Sequence, residues 1–381
     1  MHAAVPSTLL RPSNAARWVN CSGSHALEAL YPETEDGPEA REGTAAHYYA
    51  TEALQGRAVA VGALAPNGHP IDAAMVEHGQ AWIDDVVTTL AGMPGAQFRV
   101  ETRVFMHTLV HPLNEGTPDA WALNLAMRRL VLWDYKYGHA HVDPYQFWQG
   151  IDYVAGIFEG NSLSRDDVAD LQVSIRVVQP RTFRPGGPVR TWETTGAHLW
   201  GLIDYMRGRA LAALQPAAPT VTGPHCFNCK ARHACEAFTK AAGLAMSVAG
   251  QTVPWDLPVD AVGRELSRLE MAADVIKARR DGLGAIALAA IKSGKTVDGW
   301  RMGYVDSRER WERPHAEVFA LGDMLGVELR ETEPPTPAQA KKKFKSAGLP
   351  EEVLALYYRK PTGAAKLVPV DRNAARKAFG G

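Results

Sequence analysis

The chain has 381 residues, 46% hydrophobic and 22% charged, the make-up of a globular protein with a full core and room for two or three domains. Lys plus Arg is 41 against 42 for Asp plus Glu, so no global field draws in a polyanion and any such contact must come from a local patch. No run of eighteen apolar residues offers a membrane span, and the polar, Pro-broken N-terminus is not expected to act as a secretion signal. Four cysteines in so long a chain point to a metal site in a reducing cytoplasm, since disulfide staples are not needed here.

In chain order, Ser13 is placed to cap a short helix, Asn14 to Val19, that delivers Cys21. Good helix formers from Glu42 to Gln55 carry His47, and Ala73 to Leu90 is an amphipathic helix. The period then changes to two. Gln97 to Phe105 alternates, with Phe98 and Val100 on one face and Arg99, Glu101 and Arg103 on the other. Asp119 to Asn124 and Leu130 to Lys136 read as two more strands, the second apolar at consecutive positions, as a central strand covered on both faces requires. Asp143-Pro144 reads as an N-cap and first helical residue of a helix to about Phe158. Leu171 to Val178 is a further strand and Ala197 to Leu214 a further helix. The composition shifts after Ser247, dividing the chain into 1–247 and a mostly helical extension, 248–381. In the extension, Asp260 to Ser293 reads as one long helix with Val262, Leu266, Leu269, Ala273, Ile276, Leu283, Ala287 and Ala290 on a 4-3 spacing, an internal packing face that also admits self-association. From Ala340 onward ten Lys or Arg face three acids, with KKKFK at Lys341 to Lys345: a solvated surface or a polyanion contact.

The chemistry gathers around GTPDA at Gly116 to Ala120 and DYK at Asp134 to Lys136. Residues two apart on a strand share a face, so Asp134 and Lys136 point the same way, and Asp119 opens the neighbouring strand. Two carboxylates and an ammonium at one sheet end are costly without compensation, which a divalent cation supplies. Oxygen ligands suit Mg²⁺ or Mn²⁺, and such an ion beside a lysine suits phosphodiester hydrolysis. Alone, Asp-x-Lys is equally a surface salt bridge. Gln149 and Tyr153, four apart on the following helix, share a face from which they can hydrogen-bond a nucleic-acid backbone. His47 reads either as a ligand completing the coordination or as an ordinary core or surface histidine. Glu101 reads as a second-shell or second-metal carboxylate, or as part of a solvated strand face. Cys226-x2-Cys229-x5-Cys235 needs a fourth ligand, and Cys21 is the one cysteine left; thiolate-only coordination suits zinc or an iron–sulfur cluster, with His225 and His233 keeping zinc open.

The order of these motifs, Gly-x-x-x-His, Gly-x-x-Asp, Asp-Tyr-Lys and Gln-x-x-x-Tyr, resembles the RecB-like branch of the PD-(D/E)xK nuclease superfamily. One early cysteine plus a late C-x2-C-x5-C resembles its iron–sulfur members, AddB and the CRISPR adaptation nucleases. Ser13 to Cys21 and Gln179-Pro180-Arg181 are similar to a phage and prophage group within that branch. The resemblance spans about residues 10 to 245. It implies a restriction-endonuclease-like αβββαβ core; His47, Asp119, Asp134 and the Tyr135 carbonyl as metal ligands; Lys136 as the catalytic lysine; Gln149 and Tyr153 as the helix pair; and a [4Fe–4S] cluster on Cys21, Cys226, Cys229 and Cys235. The function it implies is a Mg²⁺- or Mn²⁺-dependent DNA exonuclease of phage recombination or end processing, in the host cytoplasm. A phage recombination or annealing protein, or further copies of the chain, are the implied partners besides DNA. The second reading is an inactive nuclease-fold DNA-binding or scaffolding protein, and structural zinc is the alternative to the cluster.

Overall fold

The computed structural model describes residues 10–31, 37–182, 187–306, 310–311, 313, 315–329, 335–359 and 362–369. In chain order the elements are α1 (Ala15–Asn20), α2 (Gly23–Ala29), α3 (Pro38–Leu54), α4 (Ala73–Ala91), β1 (Gln97–Val100), β2 (Val104–Phe105), β3 (Glu115–Gly116), β4 (Ala120–Asn124), β5 (Arg129–Tyr135), α5 (Trp148–Gly160), β6 (Gln172–Val178), β7 (Val189–Thr195), α6 (Gly196–Ala213), α7 (Glu236–Ala249), α8 (Val259–Lys292), β8 (Trp300–Asp306), β9 (Arg310–Trp311), α9 (His315–Leu325), α10 (Pro337–Ser346), β10 (Tyr358–Arg359) and β11 (Thr362–Pro369). They fall into two compact units, one drawn from Met1–Thr34 and Val86–Ala289, the other from Glu35–Asp85 and Ala290–Gly381.

The first unit is a mixed α/β structure. Its five-stranded sheet has the order β1-β4-β5-β6-β7. β5 and β6 run parallel, and every other neighbouring pair is antiparallel. A parallel pair needs a long crossover, and α5 supplies it. Six of the seven residues of β5 are buried, as the unbroken apolar run requires of a strand covered on both faces. Leu130 and Leu132 share one core with Ile151, Val154 and Phe158 of α5, Val173 and Ile175 of β6, and Leu199, Ile203 and Met206 of α6. α5 lies close on the sheet because it carries glycines there: a Cβ on Gly150 would meet Ile175 Cγ2 at 2.9 Å, and one on Gly156 would meet Met106 Sδ at 2.7 Å.

In the second unit, α3 and the first part of α4 meet where Gly79 faces the Tyr49 ring. β8 pairs with β11 and β9 with β10, all antiparallel. Val318, Leu321, Leu329, Ala340, Phe344 and Leu354 form its apolar cluster, and Thr336 and Gln339 close a capping box at the start of α10. Among the described residues the extension therefore holds four strands that hydropathy did not announce. The basic run Lys341 to Lys345 lies on α10, while residues 370–381 of the basic tail lie outside the described residues.

Several elements differ from expectation. A 3-10 turn, Pro12–Asn14, precedes α1, and no side chain caps it. The segment Gln97 to Phe105 is two strands, not one, broken at Glu101, whose φ is 45°. α5 starts at Trp148, because the Asp143 carboxylate accepts from the Tyr145 N–H in a local turn instead of capping a helix. β7 is an edge strand with only Trp192 and Thr194 buried, too polar to stand out. On α8 the stripe Val262, Leu266, Leu269, Ile276 and Leu283 faces solvent, with Leu266 57% exposed. The residues α8 buries are the small ones, Ala272, Ala278 and Gly282. Among the described residues no helix is long and apolar enough to cross a membrane.

Candidate active site

Strand register brings three carboxylates into one row. Val100 pairs with Ala120, and Ala120 pairs with Trp133. One step further along the same registers sets Glu101 opposite Asp119 and Asp119 opposite Asp134. Residues opposed across antiparallel strands share a face. Backbone bonds hold the row: the Glu101 N–H donates to the Asp119 carbonyl at 3.0 Å, and the Tyr135 N–H donates to Asp119 Oδ2 at 2.6 Å. Carboxylate oxygens of Glu101 and Asp119 lie within 4.8 Å of each other. Like charges at that range repel unless a proton or a cation intervenes. A hard divalent cation with oxygen ligands fits this donor set.

Lys136 continues β5 onto the same face as Asp134. Its Nζ lies 3.0 Å from Asp134 Oδ1, 2.9 Å from Oδ2 and 3.2 Å from Gln149 Oε1. The Asp134 side chain is only 3% exposed against 28% for Lys136, so the lysine is the less buried side chain of the pair. Burial works to lower the Lys136 pKa, but the charges of Asp134 and Asp119 and the Asp134 hydrogen bond outweigh it, and the ammonium is held above its usual range. The Phe147 ring lies 5.7 Å from Nζ.

The helix pair joins the same chain of contacts. Gln149 Nε2 donates to the Tyr153 hydroxyl at 3.3 Å, so Asp134, Lys136, Gln149 and Tyr153 are linked in sequence. Burial, above all, pushes the Tyr153 pKa up, so its hydroxyl stays protonated as a donor. Gly116, at the head of GTPDA, is pressed between Pro12 and Tyr153: a Cβ there would lie 2.7 Å from Pro12 Cγ and 2.9 Å from Tyr153 Cε1. Only glycine fits.

Gln179 shapes the loop that follows Lys136, a role that sequence reading did not assign. It is 1% exposed and all its polar capacity is used. Its Nε2 donates to the carbonyls of Gly138 and Ala140 at 2.6 and 2.7 Å, and its Oε1 accepts from the Val142 N–H and Arg190. Arg181 stacks on Tyr137 at 4.4 Å. The Gln-Pro-Arg motif was the visible signal; its partners, about forty residues upstream, were not.

Of the other residues singled out by sequence, His47 lies half-buried on α3 of the second unit. The four cysteines do come together. Cys21, Cys226, Cys229 and Cys235 are free, buried, and line one pocket with Ser24, Leu27, Val221 and Phe238. The Val221 N–H donates to Cys21 Sγ at 3.3 Å, and Gly23 packs on the 218–220 backbone with no room for a side chain. Glu28 pairs with Arg17 and accepts from the Lys230 N–H at 2.8 Å, tying the early segment to the late one. Burial, with the Glu28 charge, pushes the Cys229 thiol up to about 12. Four thiols lining one pocket could hold zinc or an iron–sulfur cluster, and either would take the Cys229 sulfur, whose thiol burial favours, as its thiolate. His225 and His233 each turn one ring nitrogen to a backbone carbonyl, of Val221 and Lys230.

Residues 7–375 match the family model described as "Protein of unknown function (DUF2800)". A crystal structure from Eubacterium rectale, described as a "Putative exonuclease", aligns with a TM-score of 0.32 and 10% identity, over 54% of this chain and 81% of the other. A likeness that slight establishes neither a shared fold nor a shared activity.

Proposed function

This chain belongs to the DUF2800 family, and we propose that within it the sheet end works as a divalent-metal-dependent DNA nuclease, acting from DNA ends in phage-type recombination or end processing. One observation carries the reading: Asp119, one residue before β4, stands between Glu101, one residue past β1, and Asp134 of β5, with the Lys136 ammonium on Asp134. The element order α4, β1, β4, β5, α5, β6 supports a restriction-endonuclease-like αβββαβ core of the RecB-like kind.

Asp119, Asp134 and the Tyr135 carbonyl are the residues that would hold Mg²⁺ or Mn²⁺, with Glu101 alongside; the Gly-x-x-x-His motif carries His47 into this set. Such an ion supplies Lewis-acid polarisation of the scissile phosphate and a bound water of lowered pKa. Lys136, charged at neutral pH, orients the attacking water and balances negative charge that builds on the phosphate. Gln149 and the protonated Tyr153 hydroxyl donate to the phosphate backbone and fix the strand against the acids. Cys21, Cys226, Cys229 and Cys235 are the residues that would hold a [4Fe–4S] cluster, and these cysteines would then join the early and late segments of the nuclease unit.

The test is a digestion time course on end-labelled linear and circular DNA with Mn²⁺, run on the wild type and on Asp134→Ala. Loss of label from linear DNA by the wild type alone supports the proposal. Manganese-dependent cleavage that survives in Asp134→Ala removes it. DNA binding without cleavage by either protein returns the reading to an inactive nuclease-fold scaffold.

A further inference from the structure

Asp152 lies on α5 between Gln149 and Tyr153, and the reading above gives it no task. It is completely buried, and so is Asn114, thirty-eight residues earlier. Asn114 Nδ2 donates to Asp152 Oδ1 at 2.7 Å. Among the described residues that bond leaves one buried oxygen without a partner on each residue, Asn114 Oδ1 and Asp152 Oδ2. An ionised carboxylate offers acceptors only, and an amide oxygen cannot donate to it. A charge buried behind a single neutral hydrogen bond is costly, and two unsatisfied acceptors add to that cost. One hydrogen on Asp152 Oδ2 removes both defects, because the hydroxyl then donates to Asn114 Oδ1.

We propose that Asp152 is a neutral carboxylic acid closing a two-bond acid–amide ring with Asn114, and that this ring positions the Asp119 segment against α5. Burial pushes the Asp152 carboxyl well above the ordinary carboxylate range, and the Asn114 bond lowers it by less. The groups around it do not oppose this. α5 contributes Tyr153, and the segment before β3 contributes the Asn114 amide. The 3-10 turn Pro12–Asn14, α1, α6, β2 and β5 also pack on α5, with Arg17, Asp204, Arg207, Arg209, Arg129 and Asp134 as their charged groups, and burial and the Asn114 bond are what set the direction of the shift.

The positioning follows from what Asn114 is attached to. It leads directly into β3, whose Gly116 is pressed against Tyr153, and Asp119 follows three residues later. The Asn114 carbonyl accepts from the Met106 N–H at 3.1 Å and its N–H donates to the His111 carbonyl at 2.8 Å, so the amide is rigidly mounted. Asp152 and Asn114 are therefore positioning residues, a role that rests on the metal-site reading; the ring itself does not.

Asp152→Asn tests the ring, since its amide donates to Asn114 Oδ1 without needing a titratable hydrogen. Above the ordinary Asp range the wild-type native state binds one proton more than the unfolded state, so its stability falls as pH rises, by up to tenfold in the folding equilibrium per pH unit. The variant lacks that fall. The ratio of folding constants, variant over wild type, is expected to be flat below about pH 4 and to climb between pH 5 and 8. A protonated-carboxyl band in the infrared spectrum at pH 7 is expected to vanish in the variant. A ratio that stays flat or drops with pH, or an unchanged band, overturns the ring.

Calorimetric titration with Mn²⁺ tests the positioning. Asn114→Asp alone is expected to weaken binding tenfold or more, and the swapped pair Asn114→Asp/Asp152→Asn to restore it. Equal affinity in all three proteins overturns the positioning role. A wild type that binds no Mn²⁺ removes the nuclease reading and the positioning with it, while the ring still stands or falls on the pH ratio.

Discussion

Tyr135 and Asp119 meet across the β4–β5 ladder, where the Tyr135 backbone N–H donates to the Asp119 carboxylate instead of to a neighbouring strand's carbonyl. One acidic side chain therefore closes the sheet and faces the proposed metal at the same time. Asp119→Ala leaves the part-buried N–H without its acceptor and should cost about 1–3 kcal/mol of stability, besides abolishing Mn²⁺ binding. Asp119→Asn keeps an acceptor and should lose the metal while holding most of the stability. Urea denaturation beside calorimetric titration separates the two effects.

Lys136 is expected to matter twice. Lys136→Met should lower cleavage by about 10²–10³-fold, the usual scale for losing one charge-stabilising donor. It should also destabilise the fold, because the buried Asp134 carboxyl loses the ammonium that it is paired with; the pair Lys136→Met/Asp134→Asn should recover part of that loss. The lysine's pKa is raised in the folded state, so its stabilisation is fully present below the ordinary lysine range and is lost as pH rises through the raised value. The stability gap between wild type and Lys136→Met should accordingly hold constant from pH 7 to 9 and narrow only in stronger base. A double-mutant cycle repeated across that range checks both statements.

Gly116→Ala forces a methyl to within 3 Å of Pro12 and Tyr153. We expect about 1–3 kcal/mol of destabilisation from overpacking, with cleavage reduced beyond what the unfolded fraction explains because Tyr153 must move. Thermal melts and cleavage rates normalised to folded protein provide the comparison. Wild-type behaviour in both would show that GTPDA does not press on the helix pair.

Gln179→Leu empties a site where one amide satisfies four partners at once. The loss should be about 3 kcal/mol, since several buried polar groups are left unsatisfied together. Hydrogen exchange is the informative measurement: amides from 138 to 142 should become labile while β5 stays protected.

If the thiols hold the proposed cluster, its removal should loosen the early and late segments of the first unit that Cys21 and Cys226 to Cys235 gather. Anaerobically purified protein is expected to contain iron and sulfide, and Cys226→Ser to lower both solubility and the thermal midpoint. Zinc without iron would replace the cluster with a structural zinc site, and full stability of the variant would argue that the thiols hold nothing structural.

How far the sequence reaches is clearest at β5 and α5. The β5 run LVLW announces a central strand, and Asp-x-Lys at its end already puts both side chains on one face. The carboxylate row was only half visible, because alternation runs on through Glu101 and hides a break that a positive φ makes. The start of α5 was misread since Asp-Pro suits a turn as well as a helix cap, and here Tyr145 takes the carboxylate first. The α8 stripe illustrates the opposite error. Its large residues were assigned inward by spacing, whereas close approach to Arg232 and His233 selects Gly282 and leaves the stripe outside. Asn114 and Asp152 carry no local pattern at all; only packing brings them together.

The hairpin joining β4 to β5 has a further bearing on how such chains can vary. Asn124 pairs with Arg129 across a four-residue connection, whose bend is kept by the Asn124 side chain accepting from the Met127 N–H and by Arg128 at φ 51°. Deleting or inserting a single residue there slides one arm by a step and turns Asp119 away from Asp134, on the far side of the sheet. Length polymorphism should thus be lethal to chemistry in this short bend, although it is a surface loop.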